Sequence, residues 1–215
     1  MSVAAIILAA GQSSRMGAFK PLLPWGTQTV IESCINYLHK GGADQIVVVV
    51  GHRADEIRQH LSSTSVTFAV NPDPRSEMTE SIKRAVIQIS DDVAATLITP
   101  VDYPAVSPET VASVIAEWSK GNRLIKPTYQ DRGGHPVLID MSYRKELLSL
   151  SPTAGLKSLF DAHRNDVKRV EVECSYIARD IDTWDDYHAL YVEIFGAEPP
   201  GRSNVYSNEN PKSLI

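Results

Sequence analysis

Two cations stand in a loop of small residues near the start of the chain. The loop follows an apolar run at residues 3–8 and reads AAGQSSRMGAFKP from Ala9, which places the cations at Arg15 and Lys20. Small residues let backbone N–H groups approach an anion closely, and the two cations can pair with phosphate oxygens. The loop therefore predicts a phosphate-binding site.

This loop matches neither of the two common phosphate-binding fingerprints. After Gly11 there is no GKS or GKT at the spacing of a Walker loop, and no GxGxxG opens a helix. The alternative interpretation is a plain strand-to-helix turn that carries two solvated cations.

Carboxylates in two other segments could hold a divalent cation. Asp102 follows a buried-strand pattern, so it lies at a strand end where a carboxylate can hold Mg²⁺ against phosphate oxygens. Asp180 and Asp182 are two residues apart, and on an extended segment they share a face. They precede a predicted helix, so helix capping is the alternative role for this pair.

The elements that must position these residues alternate between apolar β-branched runs and helical patterns. Strands are expected at residues 3–8, 46–50, 66–70, 96–99 and 124–126. Nearly continuous apolar strands are typical of a parallel sheet covered on both faces, which predicts a doubly wound α/β fold. Ligands bind such sheets beyond the carboxyl ends of the strands. The 9–20 loop and the turns at Gly51, Asn71 and Asp102 should therefore converge on one rim.

Helices are expected between these strands and after them. Apolar spacing predicts a helix over 30–38 that stops at Gly41, and Ser107 with Pro108 predicts the start of another. Beyond residue 140 the pattern predicts helices near 143–150, 155–163 and 184–195 and a strand at 167–172. Residues 1–196 are thus predicted to form one domain, and the polar tail 197–215 is predicted to be mobile.

The composition limits the classes of protein to which this chain can belong. The 215 residues suit one domain, and 43% hydrophobic with 22% charged residues is typical of a globular chain. A net charge of −5 offers no basic field for nucleic acid or an anionic membrane, and no apolar run is long enough for a membrane span or a secretory signal. We therefore expect a cytoplasmic protein. Cys34 and Cys174 are expected to be buried and unpaired, and histidine spacing predicts no zinc site.

The first loop closely resembles the LAAGxSxRMG…KPLLP signature of the nucleotidyltransferases that complete the molybdenum cofactor. Its AAG form is most similar to the molybdopterin cytidylyltransferases. The resemblance implies a Rossmann-like fold with Arg15 and Lys20 as catalytic cations. It also implies nucleotide contacts from residues of three segments: Leu8, Ala9, Ala10, Gly11, Ser81 and Asp102.

Three further motifs extend the resemblance over roughly residues 3–195. The D-x-P turn and a D-I-D-T element imply Asp102 and Asp182 as ligands of Mg²⁺. A segment over 71–82 implies Ser81 as a contact of the nucleotide base, although its spacing alone indicates an ordinary residue at a helix start. The RGGHPV turn at 132–137 resembles an acceptor-side turn and implies His135 as a substrate contact. A turn histidine whose hydrogen bonds are satisfied by the protein is the alternative.

The resemblance implies a Mg²⁺-dependent nucleotidyltransferase. A phosphate of the acceptor would attack the α-phosphorus of a nucleoside triphosphate, and pyrophosphate would leave. CTP and molybdopterin are the implied substrates, with a molybdoenzyme as the partner that receives the product. The alternatives are a guanylyltransferase, a transferase acting on a sugar phosphate or another phosphate acceptor, and a non-catalytic nucleotide-binding regulator or cofactor chaperone.

Overall fold

The computed structural model describes residues 2–13, 15–73 and 75–201. Ser14 and Pro74, which belong to two of the predicted motifs, lie outside the described residues. The same holds for residues 202–215 of the predicted mobile tail. Where that tail begins, Pro199 is buried and Glu198 pairs with His188 of the last helix.

Strands and helices alternate along the first two thirds of the chain. The strands are β1 (Ser2–Ala9), β2 (Pro24–Trp25), β3 (Gln28–Thr29), β4 (Gln45–Val50), β5 (Thr67–Val70), β6 (Val93–Pro100), β7 (Leu124–Tyr129), β8 (Arg132–Gly133), β9 (Val137–Asp140) and β10 (Val167–Glu171). The helices are α1 (Val30–Lys40), α2 (Ala54–His60), α3 (Met78–Gln88), α4 (Pro108–Ser119), α5 (Arg144–Leu148), α6 (Lys157–Ala162) and α7 (Trp184–Phe195). None of the described helices has the length and apolar character needed to cross a membrane.

One mostly parallel sheet organises the fold, in the order β10-β7-β9-β6-β1-β4-β5, with β8 added beside β7. Strands β5, β4, β1 and β6 run parallel, and Ile6 of β1 lies opposite Val47 on one side and Ile98 on the other. Strand β9 is antiparallel to both of its neighbours. The doubly wound, mostly parallel sheet is therefore confirmed, whereas β8, β9 and the β2-β3 hairpin are additions to the predicted strands.

Strand β1 shows why the apolar runs are continuous. Its alternate side chains point to opposite faces of the sheet. Ala5 and Ile7 join the core that α1, α4 and α7 cover, while Ala4 and Ile6 join the core beneath α3, α5 and α6. Because both faces are buried from Val3 to Ala9, a polar side chain at any of these positions would carry a cost.

The helix ends follow the predicted signals. The Ser107 hydroxyl accepts a hydrogen bond from the Thr110 N–H and Pro108 opens α4, while α1 ends at Gly41. A Cβ on Gly41 would lie 2.4 Å from the Cβ of Val111, so α1 and α4 meet closely where α1 ends. Both cysteines are free thiols, as predicted; Cys34 is buried, but Cys174 is only partly buried because it lies near the surface beyond β10.

Candidate active site

A cavity of about 360 Å³ opens at the carboxyl ends of β1, β5 and β6. The parallel direction of these strands brings the loops that follow them to one rim, as the sequence predicted. Six predicted nucleotide contacts line the cavity: Leu8, Ala9, Ala10, Gly11, Ser81 and Asp102. The predicted cations Arg15 and Lys20 line it as well, and so does Asp182.

Three carboxylates meet at one end of this cavity: Asp102 and Asp182 line it, and the exposed Asp180 lies beside them. One oxygen of each of Asp102, Asp180 and Asp182 lies within 4.8 Å of the others. The backbone N–H of Ile181 donates to the Asp102 carbonyl oxygen at 3.0 Å, and Ile181 is fully buried. This bond and the buried Ile181 side chain fasten the segment before α7 to the end of β6, which explains why acids far apart in sequence come together.

The two cations of the first loop pair with the same carboxylate. Lys20 Nζ lies 2.6 Å from Asp182 Oδ1 and 3.8 Å from Asp102 Oδ2, and the Lys20 side chain is only 10% exposed. Arg15 Nη1 lies 2.6 Å from Asp182 Oδ2, but the Arg15 side chain is 75% exposed. Burial fixes Lys20 in place, whereas Arg15 reaches the site from solvent. We call this part of the cavity, formed by these two cations and the three carboxylates, the charged end.

Asp102 is a partly buried acid of the charged end. Burial raises the pKa of its carboxyl group, the neighbouring Lys20 ammonium opposes that rise, and the charges of Asp180 and Asp182 add to it. Its Oδ1 atom is buried and has no hydrogen-bond partner within the described residues. An unpartnered buried carboxylate oxygen is costly. Three carboxylates that each bring one oxygen to the same place are the donor set that suits Mg²⁺ or Mn²⁺, so these residues fit a divalent cation.

Helix capping does not explain the acids before α7. The cap of α7 is Thr183, whose hydroxyl accepts from the Asp186 N–H at 3.1 Å. Asp186 completes the capping box by accepting from the Thr183 N–H at 2.8 Å. Asp180 and Asp182 are therefore not the capping residues of this helix.

Away from the charged end, three uncharged polar side chains of the cavity meet around Asn71, which follows β5, and the Asp73 carboxylate lines the cavity beside them. The Asn71 Nδ2 group donates to Ser76 Oγ at 2.8 Å and to Ser81 Oγ at 2.9 Å. Asn71 and Ser81 are both buried. We call Asn71, Ser76 and Ser81 the neutral end. The sequence placed Asn71 on the rim but carried no signal for this network, because the three side chains meet only when the 71–81 segment folds.

Gly51 holds the neutral end close to the first loop. A Cβ at this position would lie 2.8 Å from the Asn71 carbonyl oxygen and 3.0 Å from that of Ala10. Real Cβ atoms essentially never come within 3.0 Å of another atom, so the contact with the Asn71 oxygen would force a shift and the contact with the Ala10 oxygen would be tight. A residue without a side chain is therefore required between these two walls of the cavity.

His135 lies outside the residues that line the cavity. Its Nδ1 atom is 3.4 Å from the Ile98 carbonyl oxygen, and its ring lies 4.8 Å from that of Tyr103. Burial lowers the pKa of His135 to about 4, so the ring is neutral at physiological pH. These contacts favour the alternative of a histidine held by its own surroundings. The contact with an acceptor stays a prediction.

The chain matches the model of the MobA-like NTP transferase domain over residues 5–167. It belongs to this family. The resemblance drawn from the first loop is thereby confirmed, and the chain is a member of a nucleotidyltransferase family with a Rossmann-like fold.

Individual relatives carry more than one activity. The molybdenum cofactor cytidylyltransferase of Escherichia coli is 28% identical over 184 residues, which cover 85% of this chain and 92% of that protein. The nicotine blue oxidoreductase of Paenarthrobacter nicotinovorans is 27% identical over 202 residues, covering 87% and 96%. A crystal structure of Rv0371c from Mycobacterium tuberculosis in complex with manganese is 26% identical, with a TM-score of 0.75 over 89% of this chain and 98% of that one.

Proposed function

We propose that this protein is a Mg²⁺-dependent nucleotidyltransferase that transfers cytidine monophosphate from CTP to molybdopterin and releases pyrophosphate. The observation that carries the proposal is the charged end itself. Two cations from a loop of small residues meet three carboxylates in a cavity at the carboxyl ends of parallel strands. A site that only bound nucleotide would not require such a cluster of carboxylates.

The carboxylates would hold the metal. Asp102 and Asp182 are the ligands we propose, and Asp180 is near enough to be a third. Bound there, Mg²⁺ would neutralise charge on the phosphate oxygens of the nucleotide. The unpartnered Oδ1 of Asp102 supports this assignment, as does the manganese complex of the mycobacterial relative.

The proposed reaction needs no nucleophile from the protein. A phosphate monoester on the acceptor is already largely ionised at neutral pH, and one of its oxygens would attack the α-phosphorus in line. The new P–O bond forms as the bond to the bridging oxygen breaks, and pyrophosphate leaves with the electron pair. Catalysis would then consist of positioning and charge neutralisation.

Lys20 and Arg15 would supply that neutralisation from the protein. Both now pair with Asp182, and phosphate oxygens offer them alternative anionic partners of the same kind. Lys20 is buried beside the carboxylates, so we assign it to the α-phosphate. Arg15 is exposed and reaches in from the loop, so we assign it to the pyrophosphate that leaves.

Our choice of the base and of the acceptor rests on the relatives more than on the cavity. The Escherichia coli relative is named for cytidylyl transfer in molybdenum cofactor synthesis, and the AAG form of the loop agrees with that choice. A relative of similar identity is named an oxidoreductase, so family membership alone does not fix the reaction. A molybdoenzyme that accepts the product is part of the same proposal. Transfer from GTP, transfer to a sugar phosphate and binding without turnover are the alternatives.

Pyrophosphate release tests the proposal directly. The protein is incubated with Mg²⁺ and CTP, GTP, ATP or UTP, each with and without molybdopterin, and Asp182→Asn serves as the inactive control. Release confined to CTP with molybdopterin is the expected result. Release with another pair would keep the reaction class and change the substrate, whereas binding without release under every pairing would contradict the enzymatic function.

A further inference from the structure

The orientation of the Asn71 amide can be read from its neighbours. The backbone N–H of Asp73 lies 3.3 Å from Asn71 Oδ1, and a backbone N–H can only donate. The side-chain oxygen must therefore face Asp73. It follows that the NH₂ group, with two protons, faces the hydroxyl groups of Ser76 and Ser81.

This orientation gives the two serines different roles. Ser76 accepts one amide proton and donates its own proton to the Asp73 carbonyl oxygen at 2.8 Å, so its hydrogen bonds stay within the loop. Ser81 accepts the second amide proton. Across residues 2–13, 15–73 and 75–201, no acceptor for the Ser81 hydroxyl proton is found, and this side chain lines the cavity.

We propose that Asn71 is a positioning residue that commits the Ser81 hydroxyl to donate its proton to a hydrogen-bond acceptor on the nucleobase. The inference rests on the proposed function. A nucleotide has a charged triphosphate and an uncharged base, and the cavity has the matching charged and neutral ends. Every nucleobase carries ring-nitrogen or carbonyl acceptors, so a fixed donor at the neutral end would recognise the base while taking no part in phosphate binding.

A double-mutant cycle separates this role from a structural one. Asn71→Asp keeps an oxygen for the Asp73 N–H but replaces the NH₂ group with a second oxygen, which would draw the Ser81 proton away from the cavity. Ser81→Ala removes the hydroxyl. With Mg²⁺ present and no acceptor, calorimetry measures binding of whichever of CTP, GTP, ATP and UTP the wild type binds most tightly. Inorganic triphosphate, which has no base, reports any effect of the added charge.

The proposal expects each single change to weaken nucleotide binding by roughly tenfold relative to binding of inorganic triphosphate. In the Ser81→Ala background, Asn71→Asp should weaken nucleotide binding by less than about twofold, because the hydroxyl through which Asn71 acts is gone. Ser119→Ala is the matched control. It removes an exposed serine hydroxyl at the end of α4, outside the cavity, and should change nucleotide binding by less than about twofold.

Three results would overturn the proposal. Equal losses from Asn71→Asp in the wild type and in the Ser81→Ala background would mean that Asn71 only shapes the loop. Unchanged binding by Ser81→Ala would mean that the hydroxyl does not meet the base. Failure of the wild type to bind any of the four nucleotides would remove the proposed function and this inference with it. If thermal unfolding shows that Asn71→Asp is not folded, Asn71→Ser, which is too short to reach both hydroxyls, takes its place in the cycle.

Discussion

The two ends of the cavity are built in different ways. The charged end joins Lys20 to Asp182, which are 162 residues apart, whereas the neutral end joins Asn71 to Ser81, only 10 residues apart. The first therefore exists only when the whole sheet has formed, and the second depends on one loop and the start of α3. In our proposal the charges common to all nucleoside triphosphates would meet the long-range end, and the variable base would meet the local end. Substitutions should therefore separate turnover from nucleotide recognition.

The largest effect is expected from Asp182→Asn. This change removes the partner shared by Lys20 and Arg15 and one of the proposed metal ligands. We expect kcat for pyrophosphate release to fall by about 10³-fold or more while the fold is retained. Asp185→Asn is the control, because Asp185 is an exposed acid in the first turn of α7. Turnover within tenfold of the wild type would contradict our account of the charged end.

Removing the charge of Lys20 should lower kcat more than removing the charge of Arg15. Lys20→Met removes a buried charge, and we expect a loss in kcat of about 10²- to 10³-fold. Arg15→Met removes a charge that is mostly in solvent, where ion pairs are weak, and we expect about a tenfold loss. Lys40→Met, at the exposed end of α1, is the control. Steady-state kinetics with both variants tests the ranking, and a larger loss for Arg15 would reverse the assigned roles.

Gly51→Ala should disturb the neutral end. The added Cβ would meet backbone oxygens of both Asn71 and Ala10, which cannot turn away as a side chain can. We expect the free energy of unfolding to fall by about 1–3 kcal/mol and nucleotide binding to weaken several-fold. Gly11→Ala is the matched control for stability, because its Cβ would meet nothing within 4 Å. Denaturant unfolding and calorimetry measure the two effects, and equal stability of both variants would show that the Gly51 contact is relieved without cost.

The same contrast explains what the sequence could predict. The charged end was predictable for two reasons. Parallel strands bring Asp102 and the first loop to one rim, and charged residues in a recognisable motif order indicate phosphate and metal binding. The Asn71 network was not predictable, because it depends on which atom of an amide faces which neighbour. Strand β9 was missed for a related reason: three apolar residues and an aspartate do not encode the direction in which they pair with β6 and β7.

The smallest effect concerns His135, which is not among the residues that line the cavity. Its pKa is about 4 in the folded protein, below the ordinary value of 6.5, so between these values the unfolded chain binds more protons. Stability from this group is therefore present above about pH 6.5 and is lost as the pH falls toward 4, by at most about 1.4 kcal/mol per pH unit. Urea unfolding between pH 7 and pH 4.5 should show a shallower loss for His135→Asn than for the wild type, whereas His39→Asn, at an exposed position on α1, should follow the wild type. Identical slopes for His135→Asn and the wild type would mean that the ring is already solvated, and the turn at 132–137 would then be open to an acceptor.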